Sequence, residues 1–169
     1  MPLVSEGHAN VMGEQPLVLA YGELVVDRVA GHDRPGGAPL NFAAAIQPLL
    51  GTVGGDCLVA SRVGHDDGGV LLQEAMRAHN LSRALLQSTT DDPTGLSLAQ
   101  VNPQGDVTFH LEPGAWDEIA WSEALREQAG ACVGLLSGSL PLRSSMSAAT
   151  MLELFQTCNA RIRMFDLNF

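Results

Sequence analysis

The sequence predicts an α/β fold: a mostly parallel sheet flanked by helices, with an antiparallel flap inserted. Three observations point there. Near-continuous apolar runs of strand length recur along the chain, as strands buried on both faces require. Segments of helical period separate them, and helical crossovers are what join parallel strands. One central stretch switches to period-two alternation around a turn, the mark of a hairpin with one apolar face. At 169 residues, folding buries roughly two thirds of the unfolded surface, enough for a single core. Apolar residues at 46% and charged residues at 17% give a globular rather than a disordered composition.

Residues 1–16 read as a loose N-terminal tail and residues 17–169 as one structural unit. Leu17 to Val26 is the first buried strand, ending at the acid Asp27. The stretch from Gly31 to Pro39 is turn-rich, with Gly36-Gly37 at its centre, and Pro39 suits a first helical position for Leu40 to Ile46. Pro48 is expected to end or kink that helix near Gln47, at a cost of about 3 kcal/mol if it stays interior. Cys57 to Val63 is a second buried strand. His65-Asp66-Asp67-Gly68-Gly69 forms a loop into a helix from about Val70 to His79, with Leu72, Ala75, Met76 and His79 at helical spacing and Asn80 as a left-handed cap.

Leu96 and Leu98 then alternate with Ser97 and Ala99, and Val107, Phe109 and Leu111 with Thr108 and His110. Asn102-Pro103-Gln104-Gly105-Asp106 is the turn between them, so a hairpin spans about residues 94–112, and its apolar face needs a cover. Helical period returns from Ser122 to about Gly130, and Cys132 to Ser137 is another buried strand. A helix with Ser144 as N-cap runs to about Cys158 and buries Met151, Leu152, Leu154 and Phe155. Arg161 to Phe169 is one more strand, with Asp166 and Asn168 at its carboxyl end, where open α/β sheets hold ligands. No helix follows it, so the sheet reads as unfinished.

Charge and composition exclude several functions. Acidic residues outnumber basic ones 19 to 9, for a net charge of −10, the wrong sign for nucleic acid or an anionic membrane. All nine basic residues are Arg, which removes Schiff-base chemistry, the P-loop lysine and the strand lysine of protein kinases. Cys57, Cys132 and Cys158 are widely spaced among apolar neighbours and read as small buried hydrophobes rather than a zinc site or disulfide framework. The first fifteen residues lack the apolar core of a signal peptide, and no apolar run reaches membrane-spanning length, so a cytoplasmic location is expected.

Few constellations carry chemistry. Asp27 ends the first strand, and Gly36-Gly37 opens the helix that carries Asn41. A carboxylate accepts hydroxyl hydrogens, an amide donates and accepts, and glycines admit a close ligand. Together these suit a polyhydroxylated small molecule better than a phosphate, although a strand-end acid beside a tight turn accounts for them equally simply. Gly51, Gly54 and Gly55 precede a strand instead of following one, which excludes a dinucleotide fingerprint. His65-Asp66-Asp67 lacks the further ligand that a cation needs and reads as a solvated helix entry. Ser137-Gly138-Ser139 has no glycine two residues before either serine and is not a nucleophile elbow. Trp116 and Trp121 are expected to pack against the core.

Taken in order, the segments resemble the N-terminal half of a PfkB/ribokinase-type carbohydrate kinase. The matching pieces are Gly22-Glu23 through Asp27, Gly36-Gly37-Ala38-Pro39-Leu40-Asn41-Phe42-Ala43, Ser61 through Gly69, Pro93-Thr94-Gly95, Ala115-Trp116-Asp117, Ser137-Gly138-Ser139-Leu140 and Asp166-Leu167-Asn168. Gly-Gly-Ala-Pro and the terminal Asp-Leu-Asn are most similar to the fructokinase-like and 2-keto-3-deoxygluconate kinase-like branches. The resemblance implies a ribokinase-like fold, with a large α/β part and a small β-lid that includes the 94–112 hairpin. It implies phosphoryl transfer from ATP, with Mg, to a sugar hydroxyl. Asp27 would bind sugar hydroxyls, Gly36 and Gly37 would line the sugar, Asn41 would bond it from the helix, and Ser97 and Ala99 would face it from the lid. Members of the family are about twice as long, and their catalytic Gly-Ala-Gly-Asp segment and nucleotide pocket have no counterpart in these residues. No catalytic, nucleotide or metal residue is therefore assigned here, and the chain is expected to be truncated and inactive alone. The partners implied are a small-molecule sugar and either a dimer through the lid or a separate C-terminal half. The competing reading is a non-catalytic sugar-binding or assembly module on the same fold.

Overall fold

The computed structural model describes residues 15–101, 104 and 107–167. Asn168 and most of the turn expected at 102–106 lie outside the described residues, as does the tail through residue 14.

The core is a five-stranded sheet. Its strands are β1 (Leu17–Tyr21), β4 (Asp56–Gly64), β5 (Leu86–Thr89), β8 (Gly134–Gly138) and β9 (Ile162–Asp166). They lie in the order β5-β4-β1-β8-β9, every pair parallel. Between them run α1 (Ala38–Gly51), α2 (Asp67–Ala78), α3 (Glu123–Ala131) and α4 (Ser145–Thr157). The helices cover both faces. Leu40, Ala43, Leu72 and Met76 close one core with Val18, Ala20, Val59 and Val63. Leu125, Ala129, Met151 and Leu154 close the other with Leu19, Tyr21, Leu58 and Leu135. The apolar runs of β1, β4 and β8 are continuous because each of these strands supplies alternate residues to two separate cores. None of the described helices is long and apolar enough to cross a membrane.

A second sheet stands off the first. It contains β2 (Val25–Val29), β3 (His32–Gly36), β6 (Gly95–Val101) and β7 (Val107–Leu111), ordered β3-β2-β6-β7. Here the structure corrects the sequence-based expectation. The run Leu17 to Val26 is not one strand, since the chain leaves the core sheet after Tyr21 and re-enters extended conformation at Val25 in the second sheet. His32 to Gly36, expected as turn, is a strand paired antiparallel with β2. The expected hairpin is present as β6 and β7, but β2 joins it in parallel, pairing Asp27 with Ser97. The flap is thus four-stranded and mixed. A short β5 was also not anticipated.

The helices depart from expectation in four places. α2 begins at Asp67, so Asp67-Gly68-Gly69, expected as loop, form its first turn behind the N-cap Asp66. α1 runs through Pro48 to Gly51 instead of ending near Gln47. Pro48 is exposed, where a carbonyl left without its amide donor turns to water, so the loss is tolerated rather than fatal. Ser144 does stand at the N-cap of α4 but makes no side-chain cap; its hydroxyl donates to the Asp117 carbonyl instead. Leu152 is 57% exposed, because it sits on the outer face between the buried Met151 and Leu154. Other expectations hold: Asn80 is left-handed at φ 56°, helical structure resumes after Ser122, and Trp116 is fully buried. Ser122 also caps α3, accepting from the Leu125 amide at 3.2 Å. The three cysteines are buried, and burial pushes the Cys57 thiol up to about 12 and Cys132 to about 11, which keeps both protonated. β9 is an open edge, with Ile162 63% and Phe165 44% exposed.

Replacing Pro48 restores a backbone donor inside α1. Pro48→Ala is expected to stabilise the chain by about 2 kcal/mol, the helix-interior penalty less the entropy regained by the unfolded chain. The urea midpoint checks it, and an unchanged or lowered midpoint would show that the helix end has adapted fully to proline.

Candidate functional site

A cleft of about 470 Å³ opens where the carboxyl ends of β1 and β8 meet the second sheet, the place where open α/β sheets hold ligands. Its polar lining is Glu23, Asp27 and Ser97 beside Gly37, and its apolar lining is Val25, Phe109, Leu111 and Leu140; Val25, Asp27, Ser97, Phe109 and Leu111 share one face of the second sheet.

The polar lining follows from strand register. Asp27 and Ser97 are direct partners across the β2–β6 pair, so their side chains share one face. Ser97 is 6% exposed, and Asp27 is half-buried. Gly36 lies beneath the Asp27 carboxylate: a β-carbon there would stand 2.0 Å from Asp27 Oδ2. Gly37 has a φ of 106°, and a β-carbon on it would meet the Glu23 carbonyl oxygen at 2.3 Å. Gly37 is therefore demanded by the fixed carbonyl and by its backbone conformation, whereas a side chain at Gly36 would displace the Asp27 carboxylate.

The structure brings together Asp27, Gly37 and Ser97, with Gly36 directly below. It does not bring in the other two candidates. Asn41 is exposed on α1, its amide donating to the Gly37 carbonyl at 3.1 Å, and its side chain is outside the cleft lining. Ala99 lies two residues farther along β6, paired with Val29, and is also outside the lining.

Glu23 is the polar cleft residue that the sequence reading passed over as a site. It is 3% exposed and accepts a hydrogen bond from the Ala38 amide at 3.0 Å. Burial pushes its carboxyl above the usual carboxylate range; the amides of Ala38 and of Glu23 itself oppose this, the nearby Asp166 charge adds to it, and Arg143 opposes it. A lone acid within the apolar run Leu17 to Val26 was the available signal. The apolar lining had no such signal, since Phe109, Leu111 and Leu140 look like ordinary strand and loop residues.

Two polar clamps hold the flap in place. Asp66, expected as part of a solvated helix entry, accepts from the Gly69 amide at 2.8 Å and so caps α2. It also accepts from the Thr94 amide at 2.7 Å and the Thr94 hydroxyl at 2.6 Å, just before β6. Where the hairpin leaves the flap, Arg143 grips the Asp117 carboxylate through two nitrogens, each at 2.7 Å. The same guanidinium donates to the carbonyls of Leu111 at 3.2 Å and Glu112 at 3.0 Å and lies 4.0 Å from the Trp116 ring centre. Among the described residues no group of three or more His, Cys, Asp or Glu is placed to hold a metal ion.

Against known proteins, the pfkB family of carbohydrate kinases matches residues 4–169. The chain belongs to that family. It is 33% identical over 105 residues to a fructokinase of Escherichia coli, covering 58% of this chain and 33% of that protein. A fructokinase of Xylella fastidiosa solved with bound ATP superposes with a TM-score of 0.75 at 22% identity, covering 92% of this chain and 50% of that one. An uncharacterized sugar kinase of Pyrococcus horikoshii gives 0.74 at 22% identity, covering 90% and 53%. The chain spans about half the length of the solved kinases it matches and a third of the Escherichia coli enzyme. The fold is thus that of ribokinase-like sugar kinases, and the second sheet is its β-lid.

The Asp66 clamp has a pH signature. Burial acts to raise the Asp66 pKa, but the bonds from the Thr94 side chain, the Thr94 amide and the Gly69 and Gly68 amides outweigh it and hold the carboxyl below its ordinary value. A depressed folded-state pKa contributes stability that is present above the unfolded value, roughly pH 4, and is lost as pH falls through the folded one. Asp66→Ala is therefore expected to lower the Tm near pH 7 and to converge on the parent in more acid solution. A deficit independent of pH would mean that the charge contributes nothing.

Proposed function

We propose that this chain carries the sugar-recognising side of a fructokinase-type kinase, which transfers a phosphoryl group from ATP to a sugar hydroxyl. The observation that carries the reading is the pairing of Asp27 with Ser97 above Gly36, in a cleft closed by the lid. A carboxylate and a hydroxyl on one face offer acceptors to vicinal sugar hydroxyls. The glycines let a sugar ring approach the backbone, and the apolar lining accepts its carbon face. Family membership and the fructokinase relatives support a sugar as the ligand.

The proposed division of labour places ATP and its magnesium elsewhere. Phosphoryl transfer depends on charge stabilisation and alignment at the transferring phosphate. The polar lining here is acidic and repels a phosphate, so these residues do not fit the nucleotide. Their task is to bind and orient the sugar.

Calorimetric or NMR titration of the 169-residue chain with fructose tests the reading. Weak, saturable binding is expected, and Asp27→Ala should weaken it about tenfold or more, since a charged hydrogen bond contributes roughly 1.5–3 kcal/mol. Binding left unchanged by Asp27→Ala would place the site on other residues. In a coupled ADP-release assay free of host kinases, the same chain is expected to show no phosphate transfer to fructose. Robust turnover that depends on Asp27 would overturn the division of labour.

A further inference from the structure

Glu23 carries a cost that packing alone does not require. An ionisable side chain 3% exposed at the end of an otherwise apolar run is expensive unless its oxygens are engaged. Besides an interaction with its own backbone amide, its carboxylate accepts the amide hydrogen of Ala38, the first residue of α1. α1 otherwise lacks polar help at that end. Its N-cap is Gly37, which has no side chain to offer, and no acid lies in its first turn. The Ala38 amide, an N1 donor without an acceptor in its own helix, takes one from fifteen residues away.

The backbone of Glu23 acts on the same turn. Its carbonyl oxygen occupies the space where a Gly37 side chain would stand. Side chain and main chain thus bear together on the peptides on either side of Gly37, which stands at φ 106° in the cleft wall. One residue back, Gly36 passes under the Asp27 carboxylate.

We infer that Glu23 is a positioning residue for the sugar site: through the Ala38 amide it holds the Gly36-Gly37-Ala38 turn in the geometry that shapes the cleft floor beneath Asp27. The inference rests on the cleft being the sugar site. Glu23 also lines the cleft; the effect inferred here runs through the turn.

The experiment is a fructose titration of the ¹⁵N-labelled 169-residue chain as the parent and as Glu23→Leu, Glu23→Gln and Asp27→Ala, each with a thermal melt. Glu23→Leu keeps the volume and removes the acceptor, so it is expected to melt near the parent temperature, shift the Ala38 amide resonance and bind fructose roughly tenfold more weakly. Glu23→Gln keeps a carbonyl oxygen for Ala38 and should restore affinity to within about threefold. A Glu23→Leu protein with parental affinity, beside an Asp27→Ala protein that has lost binding, overturns the inference and spares the sugar site. Glu23→Gln binding as weakly as Glu23→Leu also overturns it, since the charge itself would then be what the sugar feels. Should Glu23→Leu not fold, Glu23→Ala makes the same comparison; failure of both would make Glu23 structural and overturn the inference. No saturable shift in the parent would bring down the sugar-site reading and this inference together.

Discussion

Between Tyr21 and Val25 the chain changes sheets, and the lid depends on how tightly that crossing is held. The core sheet ends at a buried tyrosine whose hydroxyl donates to the Ser147 carbonyl at 2.7 Å. Four residues later the backbone is a lid strand. The step is locked from outside by the start of α1, where the Ala38 amide meets the Glu23 carboxylate and Gly37 packs on the Glu23 carbonyl. A left-handed turn with no β-carbon is the conformation that fits this space. The lid strand, the helix and the cleft floor therefore share one short stretch of backbone, and the position of Asp27 follows from it.

The lid hairpin is fastened at its base, where it enters and where it leaves, by groups that are themselves satisfied. Asp66 ties the loop after β4 to Thr94, whose hydroxyl also accepts from the Gly64 amide at 2.9 Å. Arg143 binds the departing strand through Asp117 and the carbonyls of Leu111 and Glu112 while resting on Trp116. Each clamp combines a charged group with backbone partners, the stronger kind of hydrogen bond. Between them, β6 is held in register against β2, which keeps Ser97 opposite Asp27. Register matters because a slip of one residue would turn Ser97 to the other face of the lid.

The cleft's chemistry matches this construction. Its polar residues offer acceptors and its lining contains no cation, so it favours hydroxyl donors over anions. Phe109, 66% exposed, and Leu111 leave the apolar lining open to a ligand's carbon face.

The sequence by itself determined the alternation of strands and helices, because residues buried on both faces of a sheet must be apolar without a break, and helices must show their period. It marked Asn80 and Ser122 as helix ends, the hairpin 94–112, and Asp27 with Gly36-Gly37 as the candidate site, since each is a local pattern with a local cause. Tertiary structure decided the rest. An apolar run does not reveal that the chain leaves one sheet for another in its middle, because Leu24, Val25 and Val26 are buried either way. His32 to Gly36 forms a strand only because β2 is there to pair with it. Proline at 48 is tolerated only because the helix face it interrupts is exposed. Glu23 and Leu140 become neighbours across one cleft, and Asn41 and Ala99 fall outside it, through packing between elements distant in the chain, which no local spacing encodes.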